Sequence, residues 1–460
     1  MTQCTHASHD ASAYVITAYP KAGTAWWSVA ILFAAAVVSV IDRGILNIVV
    51  DPVRHDLGLG DVQISLLQGL AFGIFYATMG LPLGLLADRV SRRTLVSLGV
   101  LVWSLATISG GFAQSFGALF ASRLLVGLGE AALGPAAVSL IADLFPPDRR
   151  GRPLSVYLTG QAVASGLAIS LTSFIVTTAA HGRFAGIPML TDAAPWRAAF
   201  IICGAIGLIV SMLLMTTTEP PRRGNAGVPL AATSLADKVA FLRRNAAVLV
   251  PLYLGFAFCF MAAYAAAAWA PTMLIRSFAV GPAAIGTWLG PFTIAFSIAG
   301  PLIGGLLIDR YARASRDTAK FGMLITAPFL AMPAMLAVFA PSPVAAMILV
   351  ASSGAIFAII GTTIFATLAA FMPPDMRGSS IAISGLVNTL IGATLGPLLV
   401  ATLTERGGGG PHTVGYSIAM VAIPALFVGA ILFALARRGM VRLNVARTAS
   451  LSDTETLAHD

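Results

Sequence analysis

The chain has 460 residues, of which 57% are hydrophobic and only 10% are charged. Soluble domains carry about 25% charged residues, so this chain has too few to cover its surface in water, and lipid must cover part of it. The formal net charge of +9 comes from basic residues in short loops between apolar segments. That arrangement is typical of membrane topology and excludes a nucleic-acid-binding protein.

Cysteine and histidine residues predict neither a disulfide framework nor a metal site. The three cysteines are Cys4, Cys203 and Cys259, and no two of them form a C-x-x-C pair. The histidines all fall in tails or predicted loops, and no two share ligand spacing on a predicted helix. We therefore expect no metal and no cofactor.

Twelve segments are apolar enough to be membrane-spanning helices, which need about 20 mainly apolar residues each. The first begins near Trp26 and is too long for the core of a signal peptide, so no cleavable signal is predicted. The segments form two sets of six: 26–50, 64–87, 94–114, 117–144, 153–179 and 197–217, then 247–275, 283–308, 320–340, 343–371, 379–403 and 414–436. The sequence therefore predicts an all-α membrane protein with twelve transmembrane helices.

The spacing of these segments divides the chain into five predicted parts. They are a tail (1–25), a first six-helix half (26–217), a linker (218–245), a second six-helix half (246–438) and a second tail (439–460). Within the linker, Leu235, Val239 and Leu242 fall on one helical face. This pattern predicts a short surface helix over 235–244.

The basic residues predict the orientation of the chain. With the N-terminus in the cytoplasm, 21 of the 28 Lys and Arg residues fall in inside segments and five fall outside. The remaining two, Arg43 and Arg123, lie within predicted spans. Because cytoplasmic loops carry the excess of Lys and Arg, we expect an integral protein of the cytoplasmic (plasma) membrane with both termini inside.

Two sequence signatures occur once in each set of six. G-L-L-A-D-R ends the second span at Arg89 and G-L-L-I-D-R ends the eighth at Arg310, 221 positions later. P-P-D follows the fourth span from position 146 and the tenth from position 373, 227 positions later. The repetition predicts a duplicated six-helix unit, in which a substrate site lies between the halves near the midplane.

These motifs resemble those of the major facilitator superfamily. G-L-L-A-D-R-V-S-R-R (84–93) is similar to its loop signature, and R-L-L-V-G-L-G (123–129) is similar to its R-x-x-x-G-x-G signature. Asp42-Arg43, Glu130 and F-P-P-D-R-R-G (145–151) resemble the spinster-like branch. The resemblance covers roughly 25–440 and implies the twelve-helix fold with two pseudo-symmetric halves, and secondary transport by alternating access.

Four charged residues lie well inside predicted spans: Asp42, Arg43, Arg123 and Glu130. Each costs about 2.5–3.5 kcal/mol at the bilayer centre, so it must face a cavity or find a partner. Two interpretations are compatible, a structural ion pair between the first and fourth spans and a site for proton coupling and substrate. Arg123 and Glu130 are about 10 Å apart along their helix, so each is expected to meet a group on another helix.

We expect Asp42 and Glu130 to be the proton-coupling residues, and the spinster-like resemblance points to the same two. Arg43 and Arg123 can bind a carboxylate or phosphate in fork geometry, which favours an anionic or amphiphilic substrate. A neutral substrate remains open if the two acidic residues occupy both arginines. Two polar residues complete the candidate substrate site: Asn47, which shares a helical face with Arg43, and Tyr264 in the seventh span.

The repeated loop signatures contain the candidate gating residues. The resemblance implies that Asp88 and Arg92 latch the halves together on the cytoplasmic side, and Arg89 belongs to the same signature. Asp309 and Arg310 match only its start, so a weaker role is expected there. The alternative is a plain positively charged loop.

Pairs of glycines four residues apart predict close helix packing. These pairs are Gly69/Gly73, Gly80/Gly84 and Gly392/Gly396.

The function predicted first is proton-coupled transport of an organic or lipid-like, amphiphilic and anionic small molecule. Multidrug efflux and a non-transporting sensor on a transporter scaffold are the alternatives. An intramembrane enzyme is disfavoured because no predicted span contains a histidine near its middle. The expected partners are the substrate, protons and the lipid bilayer, and the protein is expected to be a monomer.

Overall fold

The computed structural model describes residues 19–87, 89–184, 186–187, 189–191, 193–222, 235–313, 319–373 and 376–457. All regular elements within these ranges are helices. The all-helical fold class predicted from the sequence is confirmed. We number the membrane-crossing segments as spans 1–12 in chain order.

The first set contains spans 1–6. Their helices are Ala22–Ile48 for span 1, Asp61–Gln68 with Leu70–Ala87 for span 2, Arg92–Gly111 for span 3, Phe116–Glu130 with Leu133–Leu144 for span 4, Gly151–Ala180 for span 5 and Pro195–Leu214 for span 6. Spans 2 and 4, predicted as continuous, are each interrupted. A short helix, Val50–Leu57, joins spans 1 and 2.

The second set contains spans 7–12. Their helices are Ala246–Phe278 for span 7, Pro282–Arg313 in three pieces for span 8, Ala319–Met335 for span 9, Pro343–Phe371 for span 10, Arg377–Arg406 in three pieces for span 11 and Thr413–Leu457 for span 12. The middle pieces Ile285–Leu289 and Asn388–Leu395 are π-helical. Residues 439–457, expected to belong to a tail, continue the last helix.

Eleven helices of the described ranges are long and apolar enough to cross a membrane. The predicted ninth span, 320–340, is the exception, because its helix ends at Met335 and is counted among the shorter apolar helices. One turn of 3₁₀-helix, Ala337–Phe339, follows it. The linker helix predicted over 235–244 is present as Leu235–Arg244.

Each set packs mainly on itself. In the first set, span 1 packs against spans 5 and 6, and span 3 packs against spans 4 and 6. In the second set, span 12 packs against spans 7 and 9, and span 10 packs against spans 8 and 9.

Local hydrogen bonds repeat between the two sets at a spacing of 227 residues. Spans 4 and 10 both begin after a serine N-cap, Ser115 and Ser342, whose hydroxyl accepts from the amide three residues on, at 3.3 and 3.2 Å. After each of these spans an arginine Nε donates to the carbonyl five residues earlier. Arg150 donates to Phe145 at 3.0 Å, and Arg377 donates to Met372 at 3.4 Å. The duplication read from the sequence motifs therefore extends to local hydrogen bonds at both ends of spans 4 and 10.

The sets also contact each other, at the face where span 1 ends. We call this the distal face, and the face where span 1 begins the terminal face. An added methyl at Gly69 would lie 2.6 Å from the Ala393 carbonyl of span 11. On the other side of the molecule, Ser170 of span 5 donates to the Gly286 carbonyl of span 8 at 2.8 Å. The glycine and serine positions thus let the sets approach closely near the distal face.

The three predicted glycine pairs differ in how closely other helices pack against them. Gly69 and Gly73 contact span 11, and Gly392 and Gly396 contact span 7, as close packing requires. At Gly80, nearer the terminal face, an added methyl would meet nothing within 4 Å, and the same holds for its pair partner Gly84. The prediction is wrong for that pair in this conformation, because no neighbouring helix packs over these two glycines.

Candidate functional site: a buried charge cluster

The four charged residues predicted within spans converge on one place in the first set. Asp42 and Arg43 lie on span 1, and Arg123 and Glu130 lie on the first helix of span 4. Asp42, Arg123 and Glu130 are almost fully buried, at 0%, 1% and 2% exposure. The Arg43 side chain is 38% exposed, so it is the member that solvent in the cavity can reach.

Arg43 forms an ion pair with Glu130. Its Nε lies 3.1 Å from Glu130 Oε2, which joins spans 1 and 4 as the sequence predicts. Ser39, one turn before Arg43, contacts both partners, because its hydroxyl donates to Glu130 Oε2 at 2.8 Å and accepts from Arg43 Nη2 at 3.0 Å. Arg43 also lies over the Phe72 ring, 5.3 Å from its centroid. The pair is therefore held by a hydroxyl on one side and by an aromatic face on the other.

The glycines of the R-x-x-x-G-x-G motif explain how span 4 brings Glu130 to this position. A methyl added at Gly127 would collide with the Phe72 carbonyl of span 2. One added at Gly129 would lie 2.6 Å from the Gly99 carbonyl of span 3. Span 4 can therefore pack this closely between spans 2 and 3 only because both positions are glycine. Its first helix then ends at Glu130, directly beside Arg43.

Asp42 and Arg123 are less completely bonded than the pair. Asp42 Oδ2 accepts from Thr107 of span 3 at 3.3 Å. Among the described residues, Asp42 Oδ1, Glu130 Oε1, and Nε and Nη1 of Arg123 have no hydrogen-bond partner. Buried polar atoms are nearly always bonded in folded proteins, so these four mark a place whose bonding is incomplete in this state.

The other predicted substrate residues border the cavity next to Arg43. Asn47 accepts from Gln68 Nε2 at 3.1 Å, and Gln68 also donates to the Ala268 carbonyl of span 7 at 3.3 Å. Tyr264 of span 7 is 36% exposed although it lies within its span, and Asn388 Nδ2 is 3.5 Å from its hydroxyl. Arg43 interacts electrostatically with Tyr264, so a residue of the second set lies near the charge cluster of the first.

Arg92, one of the predicted gating residues, is buried in a network at the terminal face. It pairs with Asp143 at the end of span 4, and its Nε lies 3.0 Å from Glu219 Oε1, beyond span 6. Glu219 Oε2 also accepts from the Arg93 amide at 2.7 Å. Desolvation alone would raise the pKa of Glu219, but hydrogen bonds from the Arg93 amide, Arg92 and Ser91 outweigh it and lower the pKa.

The remaining gating residues are not brought together with Arg92. Arg89, Asp309 and Arg310 are exposed at the ends of spans 2 and 8. Asp88 lies outside the described residues. The partners that Arg92 has among the described residues lie on span 4 or directly after span 6, so in this state Arg92 braces the first set and the start of the linker.

A second charge cluster, at the distal face, was not foreseen from the sequence. Arg276, near the end of span 7, donates to both Asp51, in the short helix after span 1, and Asp61, the first residue of span 2. Arg54 Nε lies 2.9 Å from Asp61 Oδ1. From span 11, Glu405 accepts from the Val62 amide at 2.9 Å. These residues, which we call the distal lock, tie the first set to the second.

Sequence reasoning missed Ser39 and Thr107 at the centre and the acidic members of the distal lock. Ser39 carried one usable signal, since it lies four residues before Arg43 in an otherwise apolar span. Arg54 and Arg276 were counted only as outside loop charges. The two Asp residues that face them looked like ordinary loop residues.

A comparison with known families identifies the fold and the class of protein. The family model of the Major Facilitator Superfamily matches residues 32–397. The chain belongs to the Major Facilitator Superfamily. It is therefore a member of a transporter family and not of an enzyme class, and it is an integral membrane protein.

Individual relatives confirm the resemblance read from the motifs. The chain is 29% identical over 421 residues to an MFS-type efflux pump of Mycolicibacterium smegmatis, covering 90% of this chain and 92% of that protein. It is 28% identical over 317 residues to protein spinster of Drosophila melanogaster, covering 66% of this chain and 50% of that protein. It thus spans about half the length of that relative.

A solved structure shares the fold. The crystal structure of a bacterial homologue of the human lysosomal transporter spinster, in an inward-facing and unoccupied conformation, superposes with a TM-score of 0.76. The match covers 91% of this chain and 97% of that one at 24% identity.

Proposed function

We propose that this protein is a proton-coupled transporter of an amphiphilic organic anion that works by alternating access. The observation that carries the proposal is the Arg43–Glu130 pair, in which a cavity-exposed cation is bonded to a buried carboxylate. An anionic substrate entering the cavity meets Arg43 before any other member of the charge cluster, because the other three are buried.

Coupling follows from a competition for Arg43. When the substrate's carboxylate or phosphate bonds to the guanidinium, Glu130 loses its ion-pair partner while it stays buried. A buried unpaired carboxylate is costly in its charged form, so Glu130 takes up a proton from water in the cavity. Release of the substrate on the other side restores the pair and returns the proton. In this cycle one anion and one proton are carried together in the same direction.

Asp42 and Arg123 form the buried half of the same relay. They interact electrostatically with each other, and Asp42 also interacts with Glu130. A change in the charge of Glu130 therefore changes the electrostatic energy of ionised Asp42, because the buried surroundings screen charges only weakly. In our proposal Asp42 is the second proton site, and Arg123 keeps the relay close to neutral.

The preference for an amphiphile rests on the walls of the cavity. Arg43, Asn47 and Tyr264 supply polar contacts at its deep end. The rings of Phe72, Phe260 and Tyr264 supply apolar surface beside them, with Phe260 and Tyr264 6.1 Å apart. A charged headgroup at Arg43 with an apolar body along the rings fits this arrangement.

We also propose that the terminal face is cytoplasmic and that the membrane is the plasma membrane, with the chain acting as a monomer. The positive residues of the connecting segments support this orientation. The state described here then faces inward. Fusion of a fluorescent protein that matures only in the cytoplasm to the C-terminus tests the orientation, and a fusion without fluorescence contradicts it.

Efflux of cationic drugs is the second candidate, favoured by the similarity to the MFS-type efflux pump. A cationic substrate would displace Arg43 electrostatically and bond to Glu130 directly. The two candidates differ in the sign of the charge that the site accepts.

Proteoliposomes with an imposed pH gradient separate the two candidates. We would compare lysophospholipids, organic acids and cationic drugs as substrates, and record the movement of protons with each. Proton flux that depends on an anionic amphiphile supports the proposal, and flux that depends only on cationic drugs supports efflux. If no compound of the panel moves protons through well-folded protein, proton coupling is wrong.

A further inference from the structure

A cleft of about 660 Å³ opens on the terminal face, away from the transport cavity. It lies between the start of span 1 and the turn that joins spans 4 and 5. Trp26, Leu144, Phe145, Arg149 and Arg152 are among the residues that line it. None of these residues takes part in the charge cluster or in the distal lock.

The inner wall of the cleft is aromatic. Trp26 packs edge-on against Phe145, with ring centroids 5.6 Å apart, yet remains 40% exposed. The adjacent Trp27 is 46% exposed. Tryptophan concentrates at the membrane–water interface, where its ring meets both acyl chains and headgroups. The cleft therefore opens at the level of the lipid headgroups.

The rim of the cleft is cationic. Arg149 and Arg152 line it, and Lys21 lies exposed next to it. Asp148 is the one acidic residue among the described lining residues. It approaches Arg149 only to 3.5 Å, and both side chains are more than 70% exposed, so this pair neutralises little of the charge.

Two long helices begin at the cleft. Span 1 begins after Lys21 and span 5 begins after Arg150, and neither of these N-cap residues makes a side-chain capping bond. The N-terminus of a helix carries a partial positive charge and free N–H groups that suit phosphate. The two helix N-termini therefore add positive charge to that of the arginines, next to the aromatic wall.

The duplicated half shows what fills the equivalent place. At a spacing of 227 residues, Leu144 corresponds to Phe371. Phe241 of the linker helix packs against Phe371, with ring centroids 6.3 Å apart. The Asn245 amide donates to the Phe241 carbonyl at 3.1 Å, which continues the helical bonding into span 7. In the second half, this chain's own aromatic residue covers the position that the first half presents as a cleft.

We propose that the cleft binds a membrane phospholipid with an anionic headgroup. The phosphate lies between Arg149, Arg152 and the starts of spans 1 and 5, and the glycerol backbone contacts the Trp26 ring. The acyl chains stay in the bilayer. Charge complementarity at the rim selects an anionic over a zwitterionic headgroup. This site is separate from the transport cavity and does not depend on the transported substrate.

Native mass spectrometry of the full-length protein in detergent tests the site. We would add phosphatidylglycerol, phosphatidylcholine or glycerol phosphate to wild type, to the Arg149→Gln/Arg152→Gln variant and to Trp26→Ala. The matched control is Arg437→Gln/Arg438→Gln, two exposed arginines of span 12 at the same face. We expect wild type to retain phosphatidylglycerol, and the Arg149/Arg152 variant to lose about tenfold of that binding, since each arginine near an anionic lipid surface contributes measurably.

We expect Trp26→Ala also to weaken binding, and the span 12 control to leave it unchanged. An equal loss in the control would show that general surface charge retains the lipid, and would overturn the site. Unchanged binding in both cleft variants would overturn it as well. Glycerol phosphate that competes as well as the intact lipid would overturn the assignment to a phospholipid, and would identify a site for a soluble phosphate.

Discussion

Arg43 and Arg276 both lie in membrane-spanning helices and both bond to carboxylates, but their bonding differs in completeness. Arg276 donates from Nε, Nη1 and Nη2 to two carboxylates, and its side chain is 17% exposed. Arg43 has one carboxylate partner, Glu130, and its side chain is 38% exposed. An arginine with saturated bonding holds two parts together, whereas one with a single carboxylate partner and a partly exposed side chain can exchange that carboxylate.

The surroundings of the two arginines sharpen this contrast. At the centre, Glu130 Oε1 and Asp42 Oδ1 lack partners among the described residues. In the distal lock, Asp61 accepts hydrogen bonds from Arg276 and is ion-paired with Arg54. The distal lock therefore stabilises one conformation, and the central cluster is left ready to respond to a ligand or a proton.

The largest effect is expected from Glu130→Gln. The amide keeps the shape of the side chain but cannot release a proton. Transport driven by a pH gradient should fall to the level of empty liposomes, while substrate exchange without a gradient persists. Uptake and counterflow in proteoliposomes measure the two activities. Glu405→Gln is the matched control, and a loss of gradient-driven transport in the control as well would refute the distinction between the two regions.

Arg276→Gln should break the distal lock and shift the protein towards a state open at the distal face. Removing one partner of a buried pair costs about 3–5 kcal/mol, and the partial exposure here reduces our expectation to about 1–3 kcal/mol. Spin labels at His55→Cys and His412→Cys would report a longer distance between the sets. Arg406→Gln, exposed on the same face, should leave the distance unchanged. An unaltered distance in Arg276→Gln would mean that the lock does not hold the sets together.

Substitutions of two glycines in span 2 compare its packed end, at Gly69, with its unpacked end, at Gly80. Gly69→Ala should disfavour this conformation by about 1–3 kcal/mol, since its methyl would press on the Ala393 carbonyl. Gly80→Ala should leave it intact. The same label pair and the melting temperature measure both effects. Equal behaviour of the two variants would show that contact at Gly69 does not close the distal end.

Ser39→Ala should have a smaller effect. It removes the hydroxyl that bridges Glu130 and Arg43, at a cost of about 1 kcal/mol, or roughly fivefold in transport rate. Ser28→Ala, another buried serine of span 1, is the control. A transport rate equal to that of wild type would show that Ser39 does not position the pair.

The smallest effect concerns Glu219, outside the spans, whose pKa is lowered below its ordinary value of 4.5. A carboxylate with a depressed pKa stabilises the folded state above that ordinary value, and the contribution is lost as the pH falls through the folded pKa. Glu219→Gln should therefore melt at a lower temperature than wild type at pH 7, and the difference should shrink below about pH 4.5. A difference that is constant with pH would contradict this account of the terminal-face network.

The sequence predicts the fold well because hydropathy, charge bias and duplication are local or periodic signals. Residues such as Asp42 and Glu130 stand out because a charge in an apolar span needs a partner. The acidic members of the distal lock could not be predicted, because Asp51 and Asp61 fall between or at the edges of the predicted spans, where acidic residues are ordinary. Their role depends on Arg276, more than 200 positions away in the chain.

The interruptions of the helices carry a partial signal in the sequence. Ala131, directly after the break at Glu130, lies four residues before Pro135, and the π-helical segment Asn388–Leu395 ends two residues before Pro397. A proline removes the hydrogen bond to the carbonyl four residues earlier and crowds that carbonyl, so an irregular turn is expected there. Packing between spans adds to this effect, since Gly129 and Gly392 both lie against neighbouring helices.

The most direct test of the central claim measures protons during substrate binding to purified protein in weakly buffered detergent solution. The anionic amphiphile that the liposome panel identifies would be mixed with wild type and with Glu130→Gln in the presence of a pH-sensitive dye. Our account predicts that wild type takes up protons as the substrate binds, and that Glu130→Gln binds the substrate with little or no uptake. The same proton uptake in both proteins would contradict the exchange of partners at Arg43.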